Sequence, residues 1–566
     1  MNVELAMRAA LVLAALVATA VGVWLDRSSR RHRDRDRAAR GPAAARAAPR
    51  RRFLLGVPWG SLTTVAVVVA VYLFVQGGLA HWYNPVVIPF RAWSYFAPLG
   101  ILTAGVTHAG PGHLLGNVFA TLVFAPLAEY VWGHFPDRRG AEAFGSLRTN
   151  PYVRAFVLFP AAALAVAVLT AAFAVGPVIG FSAVVFAFAG AGLLYRPFTA
   201  VVALSASNVV DVAYSALQNP VTVASGRAAY ITPWWSNIAI QGHALGLLTG
   251  VLLAGWLAAR RGDDLPRPRR LLVGTVVFAV SQSLWAVYWF RGGETYVLYR
   301  AVGLTLVVGL AVLVAAFAAG RDADPVETLR AAAASPTPRR VAVALMLVST
   351  AALAGPAIPV NLYAVDDEPL PGDPVEVRGY QVTYAENVED GMVSVVDVSA
   401  FGETTTVNTS GVIVRNPDRA VWTTAVTKGR LAFAGEATVV VGGLGWRETV
   451  TATRRGWTPV GNATVYRVRV RHGSVGRVAY VSPNATAEPR IGGRTVTVAA
   501  NRSGFSLVVA GGADGVDTAV APIPEQNETV TAGGLRFVRD GRAVFAVTAD
   551  NETRVRVANR ETYRGN

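Results

Sequence analysis

The sequence predicts a multi-pass α-helical membrane protein followed by an all-β, sandwich-like extracytoplasmic domain. Hydrophobic residues make up 53% of the 566 residues and charged residues only 16%, which is too apolar for a soluble protein of this length. The first 360 residues contain repeated apolar segments, whereas residues 361–566 alternate apolar and polar residues. The absence of cysteine excludes disulfides, zinc–thiolate sites and a cysteine nucleophile.

The apolar segments are long enough to cross a ~30 Å hydrocarbon core as helices. The first of them resembles a signal peptide in length and position. We favour a retained span there, because an arginine-rich stretch follows it and little basic charge precedes it. In all we place ten spans, near residues 6–25, 58–77, 112–132, 153–174, 178–195, 198–217, 237–259, 271–290, 300–319 and 340–358.

Arginine clusters predict the orientation of these spans. The linker 27–57 contains RSSRRHRDRDRAAR and PRRR, so the positive-inside rule makes it cytoplasmic. The connections that alternate to the same side also carry arginine, including RRGDDLPRPRR at 260–270. With ten spans, both termini lie outside. The net charge of +16 belongs to this apolar part, because residues 361–566 hold as many acidic as basic side chains. That distribution is typical of a membrane protein and not of a nucleic-acid groove.

Residues 361–566 read as strands. Stretches such as TVYRVRVRHGSVGRVAYVS alternate apolar and polar residues, with Gly, Asn and Asp at the breaks. The segment also contains six Asn-x-Ser/Thr sequons, and we find none in the first 360 residues. Both arguments place this domain outside, with possible N-glycans on Asn408, Asn462, Asn484, Asn501, Asn527 and Asn551.

Polar residues inside the predicted spans are functional candidates, because burying them in lipid is costly. His113 and Asn117 are four residues apart and share one face of a helix, and His108 lies in the turn before them. Glu129 lies near the cytoplasmic end of the same segment. Taken alone, Asn117 is as consistent with interhelical bonding as with catalysis, and Glu129 is better explained as a helix-end ion pair or cap.

Two further spans carry a serine and a histidine. Ser182 lies near the start of a helix, preceded by Gly180 and followed one turn later by Phe186. His243 lies in the first turns of its helix, and Gly246 belongs to a small-xxx-small pattern that lets helices pack closely. A lone serine in such a helix usually bonds back to a carbonyl, and a lone histidine can bind a metal, haem or a proton.

The orientation brings the three groups to one depth, a turn or two below the outer face. A serine, a histidine and an amide donor at one depth match the nucleophile, base and oxyanion stabiliser of acyl transfer. A metal site built from His108, His113 and His243 explains the accompanying serine and asparagine less well. A transporter would call for carboxylates within the spans, and almost none are present.

These motifs resemble the rhomboid family of intramembrane serine proteases. The chain has His-x4-His-x3-Asn at 108–117, Gly-x-Ser at 180–182, His-x2-Gly-x3-Gly at 243–250 and Glu-x3-Gly at 129–133. They follow the family's order over about residues 58–259, its six-helix core. Near-absence of lysine and abundant arginine are typical of a high-GC prokaryote such as a halophilic archaeon.

The resemblance implies a role for each matching residue. It makes Ser182 the nucleophile and His243 the base, a dyad without a carboxylate, on which the ring of Phe186 stacks. His113, Asn117 and the Ser182 N–H correspond to the oxyanion hole. Supporting positions implied in the same way are His108, Phe186, Gly180, Gly246 and Glu129.

The chain departs from the family pattern at two places. Ala183 stands where rhomboids usually have glycine, and Arg91 and Trp93 are separated where the family commonly has adjacent Trp-Arg. The first departure leaves open a rhomboid-like protein that binds transmembrane helices with weak or no catalysis.

The whole prediction is an intramembrane serine endopeptidase of the cell membrane that cleaves transmembrane-helix substrates near the outer face. Its partners are those substrates and the lipid bilayer, with no nucleic acid, no metal and no cofactor. Its predicted parts are an N-terminal span at 1–26, a cytoplasmic linker at 27–57, a rhomboid-like protease core at 58–259, additional spans at 260–360 and an extracytoplasmic β domain at 361–566.

Overall fold

The computed structural model describes most of the chain beyond residue 51. Its main described ranges are 52–135, 140–221, 229–319, 338–365, 370–392, 406–511, 518–550 and 552–564, with a few isolated positions besides. The predicted first span at 6–25 and most of the linker 27–57 therefore lie outside the described residues.

The first part of the described chain is helical. Six helical segments are long and apolar enough to cross a membrane, and α1 and α5 are shorter apolar helices. A multi-pass helical membrane part is thus confirmed. The helices are α1 (Trp59–Val75), α2 (Pro98–Thr103), α3 (Pro111–Trp132), α4 (Pro151–Ala172), α5 (Ser182–Tyr195), α6 (Pro197–Gln218), α7 (Ile240–Arg261), α8 (Pro268–Ser281), α9 (Arg300–Ala319), α10 (Pro338–Ala354) and α11 (Ala357–Asn361).

The predicted span at 271–290 is wrong in its second half. Helix α8 ends at Ser281, and the chain then forms a hairpin of β1 (Tyr288–Phe290) and β2 (Tyr296–Leu298). Hydropathy alone did not separate the two, because aromatic and β-branched residues are apolar yet favour strands. Gly292 and Gly293, both at positive φ, make the turn between these strands.

Helices α5 and α7 form the centre of the helical domain through backbone-to-backbone contact. A Cβ on Gly250 would lie 1.9 Å from the Ala187 carbonyl oxygen, and one on Gly246 would lie 2.1 Å from the Ala183 carbonyl oxygen. Larger residues at either glycine would force the helices apart. The predicted small-residue packing at Gly246 therefore involves α5, the helix that begins with Ser182.

A ring of arginines surrounds the C-terminal end of α3. Arg52 donates to the Tyr130 carbonyl (3.2 Å), and both Arg154 (3.2 Å) and Arg261 (2.7 Å) donate to the Trp132 carbonyl. These bonds satisfy carbonyls that the end of a helix leaves without intrahelical partners. They also place positive charge at the negative end of the helix dipole, which is favourable. Arg52 and Arg261, which belong to the arginine clusters used to predict the cytoplasmic side, thus lie at the same end of the helical bundle.

The last part of the described chain is mostly β-strand, as predicted. Its longer strands are β3 (Val375–Val377), β4 (Tyr380–Glu389), β7 (Asn408–Asn416), β8 (Val421–Thr427), β9 (Glu436–Gly443), β10 (Trp446–Pro459), β11 (Val465–His472), β12 (Val475–Val481), β14 (Thr495–Ala500), β15 (Phe505–Ala510), β16 (Ala519–Pro522), β17 (Thr529–Ala532), β18 (Leu535–Asp540), β19 (Ala543–Val547) and β20 (Arg554–Arg560). Three strands have only two residues each, namely β5 (Ser399–Ala400), β6 (Glu403–Thr404) and β13 (Ala485–Thr486).

The β domain contains two hydrophobic cores. In the first, the sheet β3-β4-β7-β8 packs on β9 to β12, and in the second, the sheet β13 to β16 packs on β17 to β20. Strand β10 joins the two, because its first half pairs with β9 and its last residues pair with β20. The domain is thus a double sandwich, and a short helix, α12 (Lys428–Ala434), follows β8.

The first sandwich lies against connections at one end of the helical domain, the end opposite the arginine ring. Arg447 Nε donates to the Asn84 carbonyl (3.4 Å), in the connection between α1 and α2. Tyr230 lies in the connection between α6 and α7, and its hydroxyl is 3.1 Å from Oγ1 of Thr427, the last residue of β8. Ile88 packs on the first core. The β domain is therefore on the end of the bundle where Ser182 and His243 lie.

Candidate active site

A non-helical segment, residues 178–181, leads into helix α5. Gly180 has φ +118°, a region that favours glycine, and its N–H donates to the Ala104 carbonyl (2.8 Å). Ser182 is the first residue of α5, which has 14 residues and is about 21 Å long. A helix of that length is shorter than a ~30 Å hydrocarbon core. The predicted span at 178–195 starts four residues too early, because residues 178–181 are not helical and the helix begins at Ser182.

Ser182 and His243 are in hydrogen-bond contact. His243 Nε2 lies 2.8 Å from Ser182 Oγ, and the two side chains come from the first turns of α5 and α7. The Phe186 ring stacks on the imidazole, with centroids 4.3 Å apart and planes 12° apart. The other ring nitrogen, Nδ1, is buried and has no partner among the described residues. An aromatic face thus orients this histidine in the place where a carboxylate would otherwise do so.

His113 and Asn117 lie beside the backbone that precedes Ser182. A Cβ on Gly180 would be 2.6 Å from His113 Nε2 and 3.5 Å from Asn117 Nδ2. Only glycine leaves room for the imidazole at this point. Asn117 is buried, and its Nδ2 donor has no partner among the described residues. The amide group is therefore free to donate to a ligand atom placed next to Ser182.

His108 is held above His113 by its backbone and not by its ring. The ring is fully buried, packs edge-on against His113 at 5.1 Å, and has no hydrogen-bond partner among the described residues. Gln76 donates to the His108 carbonyl and accepts from its N–H, both at 2.8 Å. Sequence reasoning missed Gln76. The signal in the sequence that could have identified it is a single amide directly after the apolar run of α1.

Glu129 lies far from this cluster. It is 16 residues along α3 from His113, roughly 24 Å of helix. Its carboxylate accepts from the Gly60 N–H (2.7 Å), the Ser61 N–H (2.8 Å) and the Ser61 hydroxyl (2.6 Å), and it contacts His134 Nε2 (2.6 Å). These bonds cap the N-terminus of α1 and fix it to α3.

Ala183 contacts Gly246 of α7 through its backbone. Its side chain is half-buried, and the contact with Gly246 is made by the Ala183 carbonyl. In the part of the chain that the structure describes, no group of three or more His, Cys, Asp or Glu side chains is arranged to hold a metal ion.

The fold and this cluster define a multi-pass membrane protein with a serine–histidine pair near one end of its helical bundle. Residues 96–261 match the family model described as the Rhomboid domain, and this part of the chain belongs to the rhomboid family. The matched range contains Ser182, His243, His113 and Asn117. Neither a curated protein nor a solved structure matches the chain.

Proposed function

We propose that the chain is an intramembrane serine endopeptidase with Ser182 as nucleophile and His243 as general base. The observation that carries this proposal is the 2.8 Å contact between Ser182 Oγ and His243 Nε2, with the imidazole stacked on Phe186. A base within hydrogen-bond reach of a hydroxyl is the arrangement that activates a serine. Membership of the rhomboid family adds the substrate class, a transmembrane helix.

The reaction follows from the positions of the two side chains. Ser182 Oγ attacks the carbonyl carbon of a peptide bond while its proton passes to His243 Nε2. When the C–N bond breaks, His243 returns that proton to the amine that leaves, and an acyl ester remains on Ser182. Water then gives its proton to His243, attacks the ester and releases the acid, with the proton returning to Ser182.

The oxyanion of the tetrahedral intermediate needs donors next to Ser182. Asn117 Nδ2 and the backbone N–H of Ser182 are the donors that we assign to it, together with His113, which borders Gly180. Donors that are already oriented stabilise the developing charge without reorganising during the reaction. Gly180 supports this arrangement, because any side chain at that position would displace His113.

The side of the membrane also belongs to the proposal. Arg52, Arg154 and Arg261 lie at the end of the bundle opposite Ser182, and by the positive-inside rule this supports an external Ser182 end. The β domain lies on that same end, and the sequon asparagines that the structure describes are all exposed, namely Asn408, Asn462, Asn484, Asn501 and Asn527. Asn551 lies outside the described residues. N-glycans at these positions stay a prediction.

The test uses the full-length protein in liposomes with a single-span membrane substrate. We expect wild-type protein to cleave it, and Ser182→Ala and His243→Ala to abolish cleavage. Thr249→Val is a matched control on α7, because the Thr249 hydroxyl donates to the Leu245 carbonyl of its own helix (2.8 Å). Folded wild-type protein that binds but never cleaves several substrates would favour a helix-binding rhomboid-like protein. Ala183→Gly is the next variant in that case.

A further inference from the structure

A large cavity separates the helical domain from the β domain at the Ser182 end of the bundle. Its volume is about 1000 Å³. One wall is formed by Val175, Gly176 and Pro177, in the connection between α4 and α5 that leads to Ser182. The opposite wall is formed by strands β7 and β8 and helix α12 of the first sandwich. Neither the Ser182–His243 pair nor the oxyanion donors use this space.

The two walls differ in polarity. The helical side is mostly apolar, with Trp289 and Phe290 of the β1–β2 hairpin and Val360 of α11. The carboxylate of Glu294 in the same hairpin also lines the cavity and accepts a hydrogen bond from the Tyr230 hydroxyl. The β-domain side presents hydroxyls, including those of Thr423 and Thr424 on β8. A polypeptide that leaves the lipid at this point has an apolar end and a polar end. The cavity is built with the same two-sided character.

Strand β8 offers a template for an extended chain. It is the last strand of the sheet β3-β4-β7-β8, so its outer edge is unpaired among the described strands. Thr423, Thr424 and Thr427 of this strand line the cavity. An exposed strand edge binds an extended peptide through main-chain hydrogen bonds, whatever the peptide's sequence.

Arg454 supplies an unused donor in the same wall. The side chain is 5% exposed, bonds to Glu561 through Nε and Nη2, and lies over the Tyr466 ring, 3.4 Å from its centroid. Its third nitrogen, Nη1, is buried without a partner among the described residues, and Arg454 lines the cavity. A buried guanidinium N–H without an acceptor is costly, and Arg454 borders the space that a carbonyl or carboxylate of a bound chain would occupy.

We propose that this cavity is a second substrate-binding site, which holds the extramembrane segment next to the transmembrane helix that is cleaved. The proposal rests on the protease function of Ser182. Continuity argues for this occupant, because the wall at Val175–Pro177 is the chain segment that runs directly into the nucleophile. A substrate whose peptide bond lies at Ser182 must continue past this segment. The cavity thus adds binding energy and selects substrates by the segment outside the membrane.

The first experiment measures binding without catalysis. Full-length protein carrying Ser182→Ala is placed in liposomes with a photo-crosslinking phenylalanine analogue at position 432, a half-buried residue of α12 in the cavity wall. The matched control carries it at position 520, a residue of β16 that is 64% exposed. The substrate is a single-span protein with a tail of roughly ten residues, which reaches ~35 Å when extended. We expect crosslinks to the tail from position 432 and none from position 520.

The second experiment measures cleavage by protein with an intact Ser182. Ala432→Trp fills the cavity, and we expect it to lower kcat/KM for the tailed substrate by about tenfold, an effect typical of losing a modest binding contact. Cleavage of the same substrate without its tail, and fluorophosphonate labelling of Ser182, should be unchanged. Val520→Trp should affect neither substrate.

Two results would overturn the proposed site. One is an absence of tail crosslinks from position 432, including the case in which only lipid is crosslinked there. The other is equal cleavage of the tailed substrate by wild type and Ala432→Trp. Failure of the protease proposal looks different: folded wild type would show neither labelling nor cleavage, while the crosslinking result would still report on the cavity.

Discussion

At the residue scale, the position of His243 depends on an aromatic ring and on helix packing. Phe186 stacks on the imidazole from within α5, and Ser182 Oγ bonds to its Nε2. No carboxylate is among the described hydrogen-bond partners of the ring. The ring is therefore oriented by a flat apolar contact that adds no charge. On our account, the negative charge of the oxyanion is stabilised by Asn117, His113 and the Ser182 N–H.

Asn117 provides the residue-scale prediction. Replacing it by alanine removes the Nδ2 donor and should lower kcat about 10²- to 10³-fold, the usual cost of losing one oxyanion donor. Fluorophosphonate labelling should slow in parallel, because the reagent also develops negative charge on oxygen. The measurement is kcat and KM for a single-span substrate in liposomes.

The control for Asn117→Ala lies one turn along the same helix. Thr121 is buried and donates to the Asn117 carbonyl (2.6 Å), so Thr121→Val removes a buried hydroxyl without removing the amide donor. We expect this variant to keep activity within about threefold, since a bond of this kind contributes only ~1 kcal/mol. Equal losses in the two variants would assign Asn117 a structural role.

At the element scale, glycines determine how closely α5 and α7 approach. Gly190, Gly246 and Gly250 each face a backbone carbonyl of the opposite helix, at distances that leave no room for a Cβ. This contact sets the separation of the two helices whose first turns carry Ser182 and His243. The small-residue pattern predicted close packing at Gly246 correctly, because the spacing of glycine on a helix face is visible in sequence.

Gly250→Ala tests this contact about two turns along α7 from His243. The added methyl would overlap the Ala187 carbonyl and should destabilise the protein by about 1–3 kcal/mol, the typical cost of overpacking. It should also reduce labelling of Ser182. Gly309→Ala in α9 is the matched control, because a Cβ there meets nothing within 4 Å. Thermal unfolding in detergent measures both, and similar midpoints would contradict the packing argument.

Sequence reasoning was least successful where apolar residues do not cross the membrane. The segment 271–290 is apolar enough for a span, yet α8 ends at Ser281 and the aromatic residues beyond it form a hairpin. Gln76 was missed for the opposite reason, because it is a single amide directly after a mostly apolar helix. Its two bonds to the His108 backbone depend on a fold that brings residues 32 positions apart together. By contrast, short-range motifs such as Gly180-Phe181-Ser182 were visible directly.

At the scale of the whole molecule, the β domain is stabilised partly by a half-buried polar cluster around Glu386. Glu386 accepts hydrogen bonds from Lys428 Nζ (2.8 Å), from the Tyr384 hydroxyl (2.7 Å) and from the Tyr466 hydroxyl. Burial alone would raise the pKa of the Glu386 carboxyl. The bonds from Lys428 and the two tyrosines outweigh it, so the pKa lies below its ordinary value of 4.5.

This lowered pKa predicts the response of the domain to acid. A carboxyl with a lower pKa in the folded state stabilises the protein above its unfolded-state pKa, and the stabilisation is lost as pH falls through the folded-state pKa. We therefore expect the unfolding temperature of the β domain to fall as pH decreases below about 4.5. Glu386→Gln should reduce that dependence, whereas Glu389→Gln, at an exposed position of the same strand, should leave it as in wild type. Identical pH profiles for wild type and Glu386→Gln would contradict this account.

The order of parts along the chain was readable from composition, but their contact was not. Apolar spans and the alternating pattern of residues 361–566 predicted a helical membrane part followed by a β domain. That this domain is a double sandwich, and that it encloses a cavity with the connection before Ser182, depends on long-range contacts such as Arg447 to Asn84. No periodicity in either segment encodes them.

Labelling by a fluorophosphonate tests the central claim most directly, because it reports an activated serine without requiring a known substrate. Full-length protein in liposomes is treated with the reagent, and the modified residue is located by peptide mass mapping. We predict a single adduct on Ser182, which is lost in His243→Ala although that variant keeps the serine. Folded wild-type protein that carries no adduct, or an adduct that persists in His243→Ala, would contradict the Ser182–His243 dyad.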